Sequence, residues 1–272
     1  MEPIDLILSK VEGQFSFTDA WLSASKHAAE VGVNNDFSVS ACQTQLDKIL
    51  EDLKFRKARK TSHHSIIETI NKYLFGEAGF STSEETPKAR FSINGVLDDR
   101  VASCEGMTAL YLTIAEQLRL PIYGFLVPGH TFPRWEHKAI RRNIDFDVKA
   151  TSTRDENYII ENNIDEASIK RGAYLRSLTK REAFATQLYC IGSLHLRKGE
   201  IALAIENLSK AIELNALYPD ALYARAMLLQ RTGHIREAQA DYVKAKDLNP
   251  ISPYIMTPAG VVITISQNTV GG

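Results

Sequence analysis

The sequence predicts an α+β protein, in which a mixed core lies between a helical N-terminal region and a C-terminal module made only of helices. Three observations lead to this prediction. Apolar residues recur at helical spacing in the first 75 residues. A helix pattern is followed by a short apolar strand pattern at 104–127. Beyond residue 180, matching residues recur at an offset of 34 positions. We expect a helical region at 1–60, a core at 61–180, repeats at 181–252 and a tail at 253–272.

The chain up to residue 95 is predicted to form two amphipathic helices and a polar loop, of which the second helix and the loop fall within the core. The first helix begins near Val39, and the second spans Ser62 to Phe75 and stops at two glycines. Residues 81–95 contain proline and glycine among polar residues, which predicts a loop. The first helix carries its apolar residues at Leu46, Ile49, Leu50 and Leu53.

A third helix is predicted to begin at Cys104, behind a possible cap at Ser103. It ends at Leu120-Pro121, and the apolar run that follows reads as a strand that stops at Pro128-Gly129-His130. The helix has one apolar face, made of Met107, Leu110, Tyr111, Ile114 and Leu118.

The residues after His130 suggest a hairpin that would place His130 beside a carboxylate. If the turn lies at 136–139, His130 falls opposite Asp145, and directly opposed side chains share a face with Cβ atoms about 5 Å apart. Two features weaken this register. Pro133 cannot donate to a central ladder, and the turn sequence is not a strong one. A slip of two residues would offer Asp147 instead.

The C-terminal third carries an internal repeat that resembles the tetratricopeptide repeat. Small residues recur where paired helices would cross, and glycine recurs between the helices. Thr179 and Glu182 can form a capping box on the first helix. Two units are fewer than usually stand alone, so we expect them to lean on the core or on residues 155–180. The tail is rich in residues that favour β-strands, but the sequence does not predict where in the fold it lies. Pairs at the 34-residue offset include Gly192 with Ala226, Gly199 with Gly233, Ala204 with Ala238, and Ala211 with Ala245.

Composition excludes several functional classes. The 272-residue chain has 44% apolar and 24% charged residues, as folded proteins do. A net charge of −1 gives no general attraction to nucleic acid or to anionic membranes, so we expect neither as a partner. Three widely spaced cysteines fit a reducing compartment, the N-terminus is a poor signal peptide, and no apolar segment is long enough to span a bilayer. We therefore expect a cytoplasmic protein.

Cys104, His130 and Asp145 occur in the order that a cysteine nucleophile needs. A helix N-terminus and an imidazolium both lower a thiol pKa. His130 would accept the thiol proton and return it to a leaving group. Asp145 would orient the imidazole, and the Cys104 backbone N–H would supply one oxyanion donor.

These residues also resemble the transglutaminase-like superfamily, whose members are relatives of papain-type cysteine peptidases. The resemblance rests on Cys104-Glu105-Gly106, on L-R-L-P-I-Y-G-F-L-V-P-G-H, and on R-N-I-D at 142–145. A bacterial branch with a helical N-terminal region and C-terminal tetratricopeptide repeats is the closer match, and I-N-x-Y-L-F at 70–75 belongs to its pattern. The resemblance covers roughly residues 60–250. It implies a papain/transglutaminase-like core with the nucleophile helix on a small antiparallel sheet. That branch often has glutamate where this chain has Asp145.

The resemblance implies a cysteine acyl-transferase or hydrolase that acts on an amide or peptide bond, with Cys104 as nucleophile, His130 as base and Asp145 as orienting acid. The repeats would recruit a protein or peptide partner. The alternative is a non-catalytic interaction protein, in which Cys104 is a small core residue and Asp145 pairs with Arg141 or Arg142. A redox role for Cys104 is a third hypothesis. We expect neither a cofactor nor a metal, since the adjacent His63 and His64 point to different sides of a helix.

Overall fold

Helices make up most of the fold, and the sheets are small. The structure is a computed structural model that describes residues 4–30, 37–83, 91–144, 146 and 152–251, together with the backbone of 254–257 and 260–263. The helices are α1 (Ile4–Ser9), α2 (Phe17–Glu30), α3 (Val39–Lys57), α4 (His63–Asn71), α5 (Ile93–Asp99), α6 (Cys104–Leu118), α7 (Asp155–Glu161), α8 (Glu166–Lys170), α9 (Lys180–Arg197), α10 (Ile201–Leu214), α11 (Pro219–Arg231) and α12 (Ile235–Leu248). The strands are β1 (Ser81–Thr82), β2 (Val101–Ala102), β3 (Ile122–Val127), β4 (His130–His137), β5 (Ile140–Asn143), β6 (Tyr254–Thr257) and β7 (Gly260–Ile263).

The N-terminal helices form where the apolar periodicity predicts them, and they pack against the rest of the chain. Ser38 and Ser62 cap α3 and α4 by accepting hydrogen bonds from backbone N–H groups. Trp21 of α2 is fully buried, and its indole N–H donates to the carbonyl of Phe91 at 2.8 Å. This contact ties the N-terminal region to the segment that precedes α5.

The loop predicted at 81–95 is wrong at both ends. Ser81–Thr82 pairs in parallel with Val101–Ala102. Residue 93 begins α5, which Ser92 caps through the backbone N–H of Gly95. Burial of the apolar residues of this seven-residue helix stabilises it although the sequence around it is polar.

Helix α6 packs on a three-stranded antiparallel sheet of order β3-β4-β5. Ser103 caps the helix as expected, since its hydroxyl accepts from the backbone N–H of Gly106 at 3.3 Å. Thr108 of α6 donates its hydroxyl to the carbonyl of Thr131 in β4 at 3.2 Å. The start of α6 therefore lies against the start of β4.

The first predicted register of the hairpin is wrong by two residues, and the described pairs follow the two-residue slip that the sequence left open. In the structure Arg134 lies opposite Asn143, and His137 lies opposite Ile140. The strands are joined by two residues only, because Lys138 adopts a positive φ of 55°. Strand β5 ends at Asn143, so the described ladder stops before it reaches the level of His130.

Pro133 lies within β4 without interrupting it. Its carbonyl accepts from the backbone N–H of Ile144 at 2.9 Å, so the amide side of this residue faces β5. The missing N–H therefore removes a bond on the β5 side, one position beyond the last pair of the β4–β5 ladder, Arg134 and Asn143, and removes none on the β3 side.

The C-terminal module consists of two helix pairs, α9–α10 and α11–α12. Thr179 and Glu182 form the predicted capping box at the start of α9. An added Cβ at Gly192 of α9 would lie 3.1 Å from a side-chain carbon and 3.2 Å from a carbonyl oxygen of α10. The repeat module packs against the rest of the chain as expected, since α9 contacts α2 and β3. In the tail, the backbones of β6 and β7 pair as an antiparallel hairpin.

Within the described ranges, no helix combines the length and the apolar character that crossing a membrane requires.

Candidate functional site

Cys104 is the first residue of α6 and is half-buried. The backbone N–H of Thr131 donates to its sulfur, which favours a thiolate. Burial has the larger effect, and together with the carboxylate of Glu105 it raises the pKa of the Cys104 thiol to about 12. The expected lowering of the pKa by the helix N-terminus is outweighed. The thiol is therefore protonated at neutral pH.

His130 is the first residue of β4, and its half-buried ring belongs to an aromatic stack. The ring centroid lies 6.0 Å from that of Phe132 and 6.1 Å from that of Tyr158 in α7. Phe132 and Tyr158 themselves stack at 4.4 Å with an interplanar angle of 7°. Because His130 is the neighbour of Thr131, which contacts the Cys104 sulfur, the fold brings the two candidate positions into one region.

The third candidate, Asp145, lies outside the described residues, as does its alternative, Asp147. Arg141, one of the two arginines considered as ion-pair partners, pairs with Glu136 at 2.8 Å. The role of Asp145 as the orienting acid therefore stays a prediction.

The sequence reading missed a buried arginine on the His130 face of β4. The side chain of Arg134 is 2% exposed, and its Nε donates to the Asn143 side chain at 2.5 Å. Its guanidinium also pairs with Asp155 and lies 3.8 Å from the ring centroid of Phe125. The Asn143 amide donates to Asp155 at 2.9 Å. An arginine between Pro133 and Trp135 in a predicted strand was the available signal, because a charge that is buried there needs a partner.

The repeat helices also contribute to this region, and nothing local in the sequence indicates it. The side-chain amide of Gln187 in α9 donates to the backbone carbonyl of Glu105 at 3.1 Å. The backbone N–H of Gly129, beside His130, donates to the Asp220 carboxylate of α11 at 3.1 Å. We call these four residues, Glu105, Gly129, Gln187 and Asp220, the core–repeat junction. Burial raises the pKa of Asp220 to about 6.

Two further side chains of the module face the same region. The carboxylate of Glu105 acts on the pKa of both Cys190 and Tyr218, which burial raises well above their usual values. Tyr218 also lies 5.5 Å, ring to ring, from Tyr189. Cys104 and Cys190 are both free thiols. The repeat module therefore lies against the first turn of α6.

Comparison with known families agrees with this architecture. The model of the transglutaminase-like superfamily matches residues 40–185, more than half of the chain. This chain belongs to the transglutaminase-like superfamily. The tetratricopeptide repeat model matches residues 188–216 and 219–252. No curated protein sequence matches the chain significantly.

Among solved structures, the fold of this transglutaminase-like protein is similar to that of menin, in a crystal structure that reveals the binding site for the Mixed Lineage Leukemia (MLL) protein. The TM-score is 0.54 at 10% sequence identity, and the match covers 90% of this chain and 70% of that chain. At this identity the likeness concerns the fold alone.

The described part of this superfamily member holds no group of three histidine, cysteine or acidic side chains that could bind a metal ion. Its chemistry near Cys104 is that of a neutral thiol, a half-buried imidazole and two carboxylates, Glu105 and Asp220. Such a set can donate and accept hydrogen bonds at neutral pH. It becomes nucleophilic only if a base removes the thiol proton.

Proposed function

We propose that this protein binds a segment of another protein at the core–repeat junction, and that its transglutaminase-like core serves as a binding scaffold. The observation that carries the proposal is the double contact of the repeats with the core, from Gln187 to Glu105 and from Gly129 to Asp220, both at 3.1 Å. Repeats that only recruited a partner for a separate active site would not need to bond to the first turn of α6.

The state of the thiol supports binding over catalysis. With its pKa raised to about 12, Cys104 carries a proton at neutral pH and offers a hydrogen bond, not a nucleophile. Superfamily folds are often reused without their chemistry. Menin, which shares the fold, has a binding site for the MLL protein. Tetratricopeptide repeats in turn are protein-interaction modules.

Selection of peptides from a random displayed library on the intact chain tests this proposal. Selected peptides should bind wild type and lose at least about tenfold in affinity on Asp220→Arg, because the substitution removes the acceptor of Gly129 and reverses a charge. Glu237→Arg is a matched control, since Glu237 lies in the first turn of α12 as Asp220 lies in that of α11. Peptides that bind both variants equally would place the binding surface elsewhere.

Thiol acyl transfer or hydrolysis is a second candidate, favoured by the contact between the Cys104 sulfur and the N–H of Thr131, next to His130. His130 would take the thiol proton while the sulfur bonds to an amide carbonyl carbon. The carbonyl oxygen becomes an oxyanion, and the Cys104 N–H stabilises it. The C–N bond then breaks as the amine takes the proton from the imidazole. Water or a second amine finally releases the acyl group from the thioester, with Asp145 orienting the ring.

Intact-mass detection of a covalent adduct with an electrophilic activity probe separates the two candidates. Acyl transfer predicts a single adduct on wild type, and none on Cys104→Ser or His130→Ala. Under the binding proposal, wild type and His130→Ala show the same slow modification. If a fast adduct forms and depends on His130, the scaffold proposal is wrong and the protein is a cysteine-dependent enzyme.

A further inference from the structure

A cavity of about 300 Å³ lies at the end of α6 remote from Cys104. Its centre along the helix is near Ala115, eleven residues and about 16 Å from the nucleophile position at the α-helical rise. It is bounded by α6, by the first residues of β3, by the start of α2 and by the start of α9. The cavity is separate from the core–repeat junction, and the proposed function makes no use of it.

The walls of the cavity are mostly apolar. Leu112 and Ala115 of α6 form one side, and Ile122, Gly124 and Leu178 form the other. The backbone N–H of Leu178 donates to the carbonyl of Gly124 at 3.0 Å, which fixes this second wall to the strand. A concave, apolar and partly enclosed space with few polar groups is the usual form of a small-molecule site, and this one is at the small end of the range, about 300–1,000 Å³.

The acidic side chain at the rim of the cavity, Glu116, is held by hydrogen bonds and an ion pair within the protein. The Glu116 carboxylate accepts from the backbone N–H groups of Phe17 and Thr18, at 3.1 and 2.9 Å, and from the Thr18 hydroxyl at 2.6 Å. Lys180 pairs with it at 2.7 Å. These partners lower the pKa of Glu116 against the effect of burial. Glu116 therefore serves as the cap of α2 and repels a bound anion little.

The rim of the cavity also carries an exposed cationic side chain, Arg119. Arg119 follows α6 with a positive φ of 51° and is exposed. Within the described part of the chain it has no carboxylate partner. The charge of Lys180 is balanced by Glu116, and Tyr123, which is 41% exposed, adds a phenol. The net charge of these rim side chains is positive, beside an apolar interior.

We infer that this cavity binds a small amphipathic monocarboxylate, with its hydrocarbon chain against Leu112, Ala115 and Ile122 and its carboxylate on Arg119. An apolar chain fits the walls, and one anionic head group fits the exposed guanidinium of Arg119, which can hold a carboxylate by two parallel N–H bonds. A cationic amphiphile of the same length would place its charge beside Arg119 and Lys180 and is rejected by the same rim.

Calorimetric titration of the full chain with hexanoate, octanoate and decanoate tests the inference. Each added methylene should lower Kd by about fourfold until the cavity is full. Arg119→Gln should weaken octanoate by about tenfold without changing the unfolding temperature. Arg236→Gln, at an exposed arginine of α12, is the matched control and should bind as wild type does. Ala115→Leu should fill the space and remove the advantage of decanoate.

Three results would overturn the inference. Decanoate could bind no tighter than hexanoate, Arg119→Gln could bind octanoate as well as wild type, or octylammonium could bind as tightly as octanoate. Because Arg119 is exposed, Arg119→Gln is expected to fold. The Arg119→Gln measurement therefore still tests the inference if Ala115→Leu does not fold.

Discussion

Alkylation of Cys104 in the native protein should be about a thousandfold slower than alkylation of the same residue in the unfolded chain at pH 8. The thiolate is the reacting form, and at a pH below both pKa values its population falls tenfold for each unit of increase. The pKa of Cys104 rises from 9.0 to about 12 on folding, which is three units. The rate should then increase tenfold per pH unit without a plateau near neutrality.

Iodoacetamide labelling, quenched at intervals and followed by peptide mass measurement, gives the rate at each cysteine in one experiment. Cys42 is an internal control, because burial raises its pKa from 9.0 to about 11 and its slowing should be about a hundredfold. Labelling in urea gives the reference rate. If native Cys104 reacts faster than unfolded Cys104 at pH 7, and His130→Ala abolishes the excess, the thiol is an ion pair with the imidazole. Cys104 would then not be a neutral thiol in the folded protein.

Three further predictions concern stability, each measured by urea unfolding. Asp220→Asn should stabilise the protein by about 1 kcal/mol at pH 7.5 and have little effect below pH 4. The folded pKa is raised from 3.8 to about 6, so the protonated carboxyl stabilises the fold at low pH and this contribution is lost as pH rises through 6. Asp220 lies in the first turn of α11, where the helix N-terminus favours the charged carboxylate, so the gain in the free energy of unfolding is smaller than the pKa shift alone would give. Arg134→Ala should cost about 3 kcal/mol, because it empties a buried position that packs on Phe125 and removes the donor of the buried Asn143 side-chain oxygen, whereas Arg141→Ala, at a side chain 71% exposed, should cost less than about 1 kcal/mol. Gly192→Ala should cost about 1–2 kcal/mol, because the new methyl group meets α10 at 3.1–3.2 Å. A neutral Gly192→Ala, or an Arg134→Ala no worse than Arg141→Ala, would contradict these contacts.

Periodicity predicted the longer helices and the repeats because those elements are stabilised by patterns that recur many times. The α9–α12 pairs follow from a 34-residue offset that many positions share. Helix α5 has only seven residues and its burial depends on distant elements, so no local pattern reveals it. The sequence left the observed hairpin register open for a related reason. That register depends on the positive φ of Lys138, a conformation that a lysine rarely adopts and that its sequence context does not indicate.

The candidate site was predictable only in part. The order of Cys104 and His130 suggested that they meet, and the structure places the neighbour of His130 against the sulfur. The state of the thiol was predicted in the wrong direction, because the helix N-terminus is visible in the sequence whereas burial and the exact position of Glu105 are not. The junction contacts join residues 82 and 91 positions apart, and no local pattern encodes them.

Helix α6 explains why the repeats belong to the site. Its first turn bonds to α9 through Gln187, and its last turns bond to the start of α9 through Lys180 and Glu116. The same Glu116 carboxylate caps α2. One helix is thus held by the N-terminal region and, at both ends, by the first repeat. A partner that displaced α9 from α6 would break contacts at both ends together. A ligand at the junction is therefore better accommodated by an unchanged arrangement of core and repeats, which favours a preformed binding surface over a module that opens to admit substrate.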